Sequence, residues 1–144
     1  MVEGYKGFST GFNCKGFHYV VGDKYEVVGP PELGDWGFHF CRYPVHVFLH
    51  YPEVCECGKH KNRFARVRAT GTVITRYSES VATEIEILEE IDAATLVREM
   101  PSCVELHDGT KMWYDLGLLV SVEHPAVLLD KKTSFKLNKS YFSF

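Results

Sequence analysis

The sequence predicts an α+β fold: a mostly antiparallel β-sheet with one or two short helices and a small C-terminal β-hairpin appendage. Three observations predict it. Residues 63–70 and 81–87 alternate with a period of two, placing Ala65, Val67 and Ala69 on one face and Val81, Thr83, Ile85 and Ile87 on another. Hairpin words such as Asp108-Gly109 divide the rest into short strands. Helical spacing is confined to two brief stretches, residues 44–51 and 93–99.

The chain of 144 residues is long enough for one full domain and an appendage. Its composition, 45% hydrophobic and 14% aromatic, is that of a folded core and not of a disordered chain. Sixteen basic against 19 acidic residues argue against a dedicated nucleic-acid binder. The charge is uneven, however. Lys59, Lys61, Arg63, Arg66, Arg68 and Arg76 precede a run of Glu79, Glu84, Glu86, Glu89, Glu90 and Asp92. This predicts two strands whose charged faces complement each other; a basic groove for an anionic partner is the alternative. The five cysteines, Cys14, Cys41, Cys55, Cys57 and Cys103, are odd in number and irregularly spaced. Met1-Val2-Glu3-Gly4 lacks the pattern of a secretory leader, and no apolar run approaches the ~20 residues of a membrane helix. The expectation is a protein of a reducing compartment with mostly buried free thiols.

In chain order, residues 5–8 read as a strand and 9–13 as a turn. Residues 17–21 and 25–28 are aromatic and β-branched, and Gly22-Asp23 between them predicts a hairpin. Gly29-Pro30-Pro31 breaks the ladder. Residues 36–51 form the expected hub. Phe38 and Phe40 share one face of a strand, and Pro44 opens a helix with Val45, Phe48 and Leu49 as its apolar stripe. Residues 53–62 read as a surface loop. Gly71 predicts a bulge, and residues 77–80 a turn. Asp92 is suited to cap the helix at 93–99, which Pro101 ends. Strands at 104–107 and 111–114 flank Asp108-Gly109. Leu116-Gly117 predicts a further turn, followed by strands at 118–122 and 126–129. Residues 130–144 interleave Lys131, Lys132, Lys136 and Lys139 with Phe135, Tyr141, Phe142 and Phe144. The expected division is a core domain at 1–102, a repeat-like β unit at 103–130 and a tail at 131–144.

Two groups of words are familiar. Gly4-Tyr5-Lys6-Gly7-Phe8, Cys14 to Phe17, Val21-Gly22 with Tyr25-Glu26, Gly37-Phe38-His39-Phe40-Cys41 with Pro44, and Asn62-Arg63-Phe64-Ala65 with Val67 and Gly71 occur in order. In these, residues 4–92 resemble an uncharacterised domain of bacteriophages and large DNA viruses. Asp108-Gly109-Thr110-Lys111-Met112-Trp113-Tyr114, Gly117-Leu118 and Pro125-Ala126-Val127 follow. Residues 107–128 thereby resemble one unit of the MORN-like repeat of marseillevirus-type giant-virus proteins. The chain departs from that pattern in having one unit, and in lacking a His-Arg word between Leu119 and His124. The resemblance implies a viral origin, and it assigns no activity.

Four groups carry candidate chemistry. Cys55, Cys57 and His60, with His50 upstream, offer thiolate and imidazole ligands to zinc; an unliganded loop is the alternative. His46 and His50 share a helix face, without the glutamate of a metalloprotease word. Glu84 and Glu86 share a strand face, as acid pairs do in ADP-ribosyltransferases. Here Lys6 holds the opening position, and a Ser-Thr-Ser strand is missing. His39 and Cys41 lie two apart on a strand, as a thiol–imidazole pair or as ordinary core residues. None amounts to a catalytic set. The expected function is a non-enzymatic viral structural or protein-interaction module, with the virion or the host cytoplasm as its place. Its expected partners are viral or host proteins bound through residues 103–144. The alternatives are an ADP-ribosyltransferase-like enzyme and a zinc-stabilised interaction module; no other cofactor is expected.

Overall fold

A computed structural model describes residues 1–55 and 58–125. The chain divides into two compact units, Met1–Glu99 and Met100–Phe144. The predicted strand at 126–129 and the aromatic-basic tail lie outside the described residues.

The first unit holds β1 (Val2–Phe8), β2 (Asn13–Cys14), β3 (Phe17–His18), β4 (Lys24–Glu26) and β5 (Phe38–Phe40). A 3-10 helix (Pro44–Leu49), β6 (Arg63–Arg76), β7 (Glu79–Ile91) and α1 (Ala93–Glu99) follow. The main sheet is antiparallel, in the order β1-β6-β7, with β4 and β5 both pairing the far edge of β7. β5 then does a second job. Tyr5 and Cys41 exchange two backbone hydrogen bonds of 2.7 and 2.8 Å, so the chain just past β5 is tied to the free edge of β1. This one bridge closes the sheet between β1 and the chain leaving β5, while β4 keeps an unpaired edge among the described residues.

The long β6–β7 hairpin is the scaffold. Its alternation is the one expected over residues 65–69 and 85–87, but β7 shifts phase at Thr83, opposite the bulge, so that Ala82 and not Val81 joins the same core. Ala65, Val67, Ala69, Ile85 and Ile87 fill the interior with Phe8, Phe12, Phe38 and Phe40. Outside, the two charge runs meet across the ladder. Arg63 pairs with Glu90 through two hydrogen bonds of 2.6 and 2.8 Å, Arg66 with Glu89 and Glu99, and Arg68 with Glu86 at 3.6 Å. Each such exposed pair is worth only ~0–1 kcal/mol, but together they pin the register. Gly71 marks a bulge, as expected: its φ is +71°, and a Cβ there would lie 2.2 Å from Thr83 Oγ1.

Three further expectations are corrected. Gly22-Asp23 does not join two paired strands. β3 pairs β2 around a turn at Lys15-Gly16, while Gly22 and Asp23 bond to Ile87 and lead onto the edge of β7. Lys15 and Gly16 both take positive φ, as a tight two-residue turn requires. The hub helix is 3-10 and not α-helical, so its buried run is Pro44, Val45, His46 and Val47, and Leu49 is exposed. His46 and His50 thus part company: His46 is buried and His50 exposed. Phe64 alternates with Ala65 and is nevertheless buried, at 2% exposed. It packs with Val47, Leu96 and Cys41 on the other face of the sheet, where the 3-10 helix and α1 lie. Asp92 caps α1 as expected, accepting the Thr95 N–H at 2.8 Å.

The second unit is a three-stranded antiparallel meander of β8 (Cys103–Glu105), β9 (Lys111–Asp115) and β10 (Leu118–Glu123). Asp108-Gly109 turns the first hairpin, within a three-residue loop closed by the Leu106 N–H to Thr110 O bond of 2.8 Å. Leu116-Gly117 turns the second as a two-residue loop with both φ positive.

Candidate functional site

The site is built on Lys6. Side chains alternate along β1, and Lys6 falls on the inward face with Phe8. Two glycines let other parts of the chain lie directly on this strand. A Cβ on Gly4 would sit 2.5 Å from the Cys41 carbonyl oxygen, and one on Gly7 2.6 Å from the Tyr51 side chain. The word Gly4-Tyr5-Lys6-Gly7 is therefore a close-approach device on both faces of one strand.

Closure seals the lysine, which is 3% exposed. Its Nζ donates to the His39 carbonyl oxygen and to Cys14 Sγ at 3.7 Å. It stands 5.2 Å above the Tyr19 ring and 5.8 Å from that of Phe8. The Tyr51 hydroxyl donates to the same sulfur at 3.1 Å. Two donors thus converge on Cys14 Sγ, brought there by β1 and by the segment after the 3-10 helix. Among the described residues no carboxylate forms an ion pair with Lys6.

The electrostatics follow from burial. Loss of water holds the Lys6 amine below the ordinary lysine range, opposed by the facing Cys14. Burial pushes the Cys41 thiol up to about 12, although Lys6 pulls the other way. Burial also raises the Tyr19 and Tyr51 phenols. His39 Nε2 accepts the Gly34 N–H at 2.8 Å, which assigns the ring proton to Nδ1. Glu79 lies 3.8 Å from the same nitrogen, and burial and then the charge of Lys15 hold the imidazole below its ordinary value. Lys6, Cys14, His39, Cys41, Tyr51 and Glu79 line a cavity of about 80 Å³. That exceeds the roughly 10–15 Å³ one water needs. A buried amine and a thiol in contact, beside a small cavity, are a pair of nucleophiles shielded from solvent.

The residues singled out from the sequence are placed differently. His39 and Cys41 both line this cavity, but His39 turns to Gly34 and Glu79 while Cys41 packs with Val47, Phe64 and Leu96. Glu84 and Glu86 lie further along β7 and are not among the residues lining the cavity, and Glu86 is engaged with Arg68. In the 53–62 loop, the Cys55 N–H bonds to His60 O and the Gly58 N–H to Cys55 O, both at 2.8 Å. Cys55 is disulfide-bonded, and Cys57 lies outside the described residues. His50 lines the Lys6 cavity. Among the described residues no three His, Cys, Asp or Glu side chains gather into a metal-binding group. No helix among them is long and apolar enough to cross a membrane. Lys6, Cys14 and Tyr51 were not legible as a site. The one signal was the pair of glycines flanking Lys6.

The first unit is thus an antiparallel-sheet domain with short helices and a buried amine–thiol contact inside. The chain belongs to the family described as a domain of unknown function (DUF7666), whose model matches residues 2–99. No curated protein and no solved structure matches the chain significantly. The matched span contains every residue of the Lys6 cluster.

Proposed function

We propose that this is a non-enzymatic viral structural or interaction module that docks a protein of the viral particle through its second unit. The observation that carries the reading is the apolar surface there: Leu116 is 84% exposed, Leu118 71% and Val120 58%. Single exposed leucines are ordinary, but three apolar residues within five positions of one turn and strand form a ridge. β10 is also an edge of its sheet among the described residues, and edge strands are templates for a partner. The resemblance of residues 107–128 to a MORN-like unit supports the same reading, because units of such arrays bury their faces against neighbours. The resemblance of residues 4–92 to a phage and large-virus domain supports the viral setting. On β7, Glu86, Glu89 and Glu90 are engaged by arginines, which favours a structural use of these carboxylates over a catalytic one.

Mass spectrometry of purified particles tests the proposal. The chain is expected in them, and Leu118→Glu with Val120→Glu should lower its incorporation at least tenfold at equal expression. Absence of the wild-type chain removes the particle reading, and unchanged incorporation of the variant removes the ridge as the contact.

A second reading is a zinc-stabilised loop. It is favoured by the backbone hydrogen bond that sets Cys55 opposite His60. It requires the reduced form of Cys55, with Cys57 and His50 completing the ligands.

A further inference from the structure

We propose that Lys6 and Cys14 form a redox modification site, in which hydrogen peroxide entering the cavity joins Lys6 Nζ to Cys14 Sγ through a covalent sulfenamide bond. The site is independent of the docking surface. Three observations carry it. Nζ and Sγ already touch at 3.7 Å. Both line the cavity of about 80 Å³, which has room for a molecule the size of hydrogen peroxide. The hydrogen bond from Nζ to the His39 carbonyl and the bond from Tyr51 to Sγ hold the two atoms in place.

The chemistry balances with peroxide as the one oxidant. Cys14 Sγ attacks a peroxide oxygen: an S–O bond forms, the O–O bond breaks, and the thiol proton leaves with the other oxygen as water. The Lys6 nitrogen lone pair then attacks that sulfur. The N–S bond forms, the S–O bond breaks, and an amine proton leaves with the hydroxide as a second water. The pair loses two electrons, and peroxide becomes two waters. Condensation of a sulfenic acid with a nitrogen is an established reversible step. The second step needs an uncharged amine, which burial favours. Cys41 is the competing nucleophile, but its thiol is held protonated by burial, which slows its attack. The link would staple β1 to β2 next to the point where the sheet closes.

The test treats the full chain with millimolar hydrogen peroxide, cleaves it after glutamate and maps the peptides by mass. The peptide covering residues 4–26 contains Cys14 as its one cysteine, so a loss of two hydrogens within it is not a disulfide. The expected result has four parts. The greater part of this peptide loses two hydrogens. Backbone fragments between positions 6 and 14 disappear. Trypsin no longer cuts after Lys6. A thiol reductant restores all three readings. Lys6→Met should abolish the hydrogen loss and leave oxygen additions on Cys14. An unchanged peptide, oxygen addition with cleavage after Lys6 intact, or Cys14 in a disulfide to another peptide would each overturn the proposal. So would the same hydrogen loss in Lys6→Met.

Discussion

His46 makes the fold acid-sensitive in a way that can be calculated. It sits in the 3-10 helix, 3% exposed, with its ring 5.7 Å from that of Tyr43. Burial, helped by nearby His50, lowers its imidazole to about 4, against 6.5 for an ordinary histidine. Between those values the unfolded chain binds a proton that the folded chain does not. Stability from this group is therefore complete above pH 6.5 and is lost as the pH falls toward 4. At about 1.4 kcal/mol per unit, the loss reaches ~2 kcal/mol by pH 5 and ~3 kcal/mol by pH 4. His39, also lowered, acts in the same window, and the carboxylates of Glu90, Asp92 and Asp108 add losses of the same sign at lower pH. A comparison with His46→Leu isolates the term. Urea unfolding at pH 7, 6 and 5 should show the wild type losing ~2 kcal/mol more than the variant over that range. Parallel loss in the two proteins would refute the burial of His46.

Three further outcomes are expected. Gly71→Ala should cost about 1–3 kcal/mol in urea unfolding, because the new Cβ meets both a left-handed backbone and Thr83; a neutral effect would remove the bulge. Phe64→Ala should cost about 3–5 kcal/mol, since the ring is 2% exposed and packs edge-on against Phe48 at 5.4 Å; a cost near zero would place Phe64 at the surface. Protein purified reduced and without chelator should hold about one zinc per chain if the 55–60 loop is a metal site, and Cys55→Ser should release it; substoichiometric zinc retires that reading.

Much of the fold was legible because it follows period and charge. Ala65, Val67 and Ala69 alternate against Ile85 and Ile87, and the arginines of one strand meet the glutamates of the next, so β6 and β7 announce each other. Gly71, Asp92 and Leu116-Gly117 were legible because each answers a local backbone demand. The errors arose where tertiary pairing decided. Residues 17–21 have strand composition, but the tight turn at Lys15-Gly16 takes Phe17 back onto Cys14. The helix at 44–49 is too short for periodicity to separate 3-10 from α, and that choice alone reverses the exposure of Leu49 and His46. The Lys6 cluster was invisible for another reason. A lysine in a strand ordinarily faces water, and its partners come from β2, β5 and the end of the 3-10 helix, which meet only when the chain past β5 closes the sheet.

The central structural claim is that closure, which buries Lys6 with no ion-paired carboxylate among the described residues. Titration of the lysine side-chain carbons by NMR, with Lys6→Met to assign the signal, tests it most directly. Lys6 should titrate clearly below 10.5, apart from the surface lysines. A Lys6 signal that moves together with theirs would mean that the sheet is open and the cavity is not there.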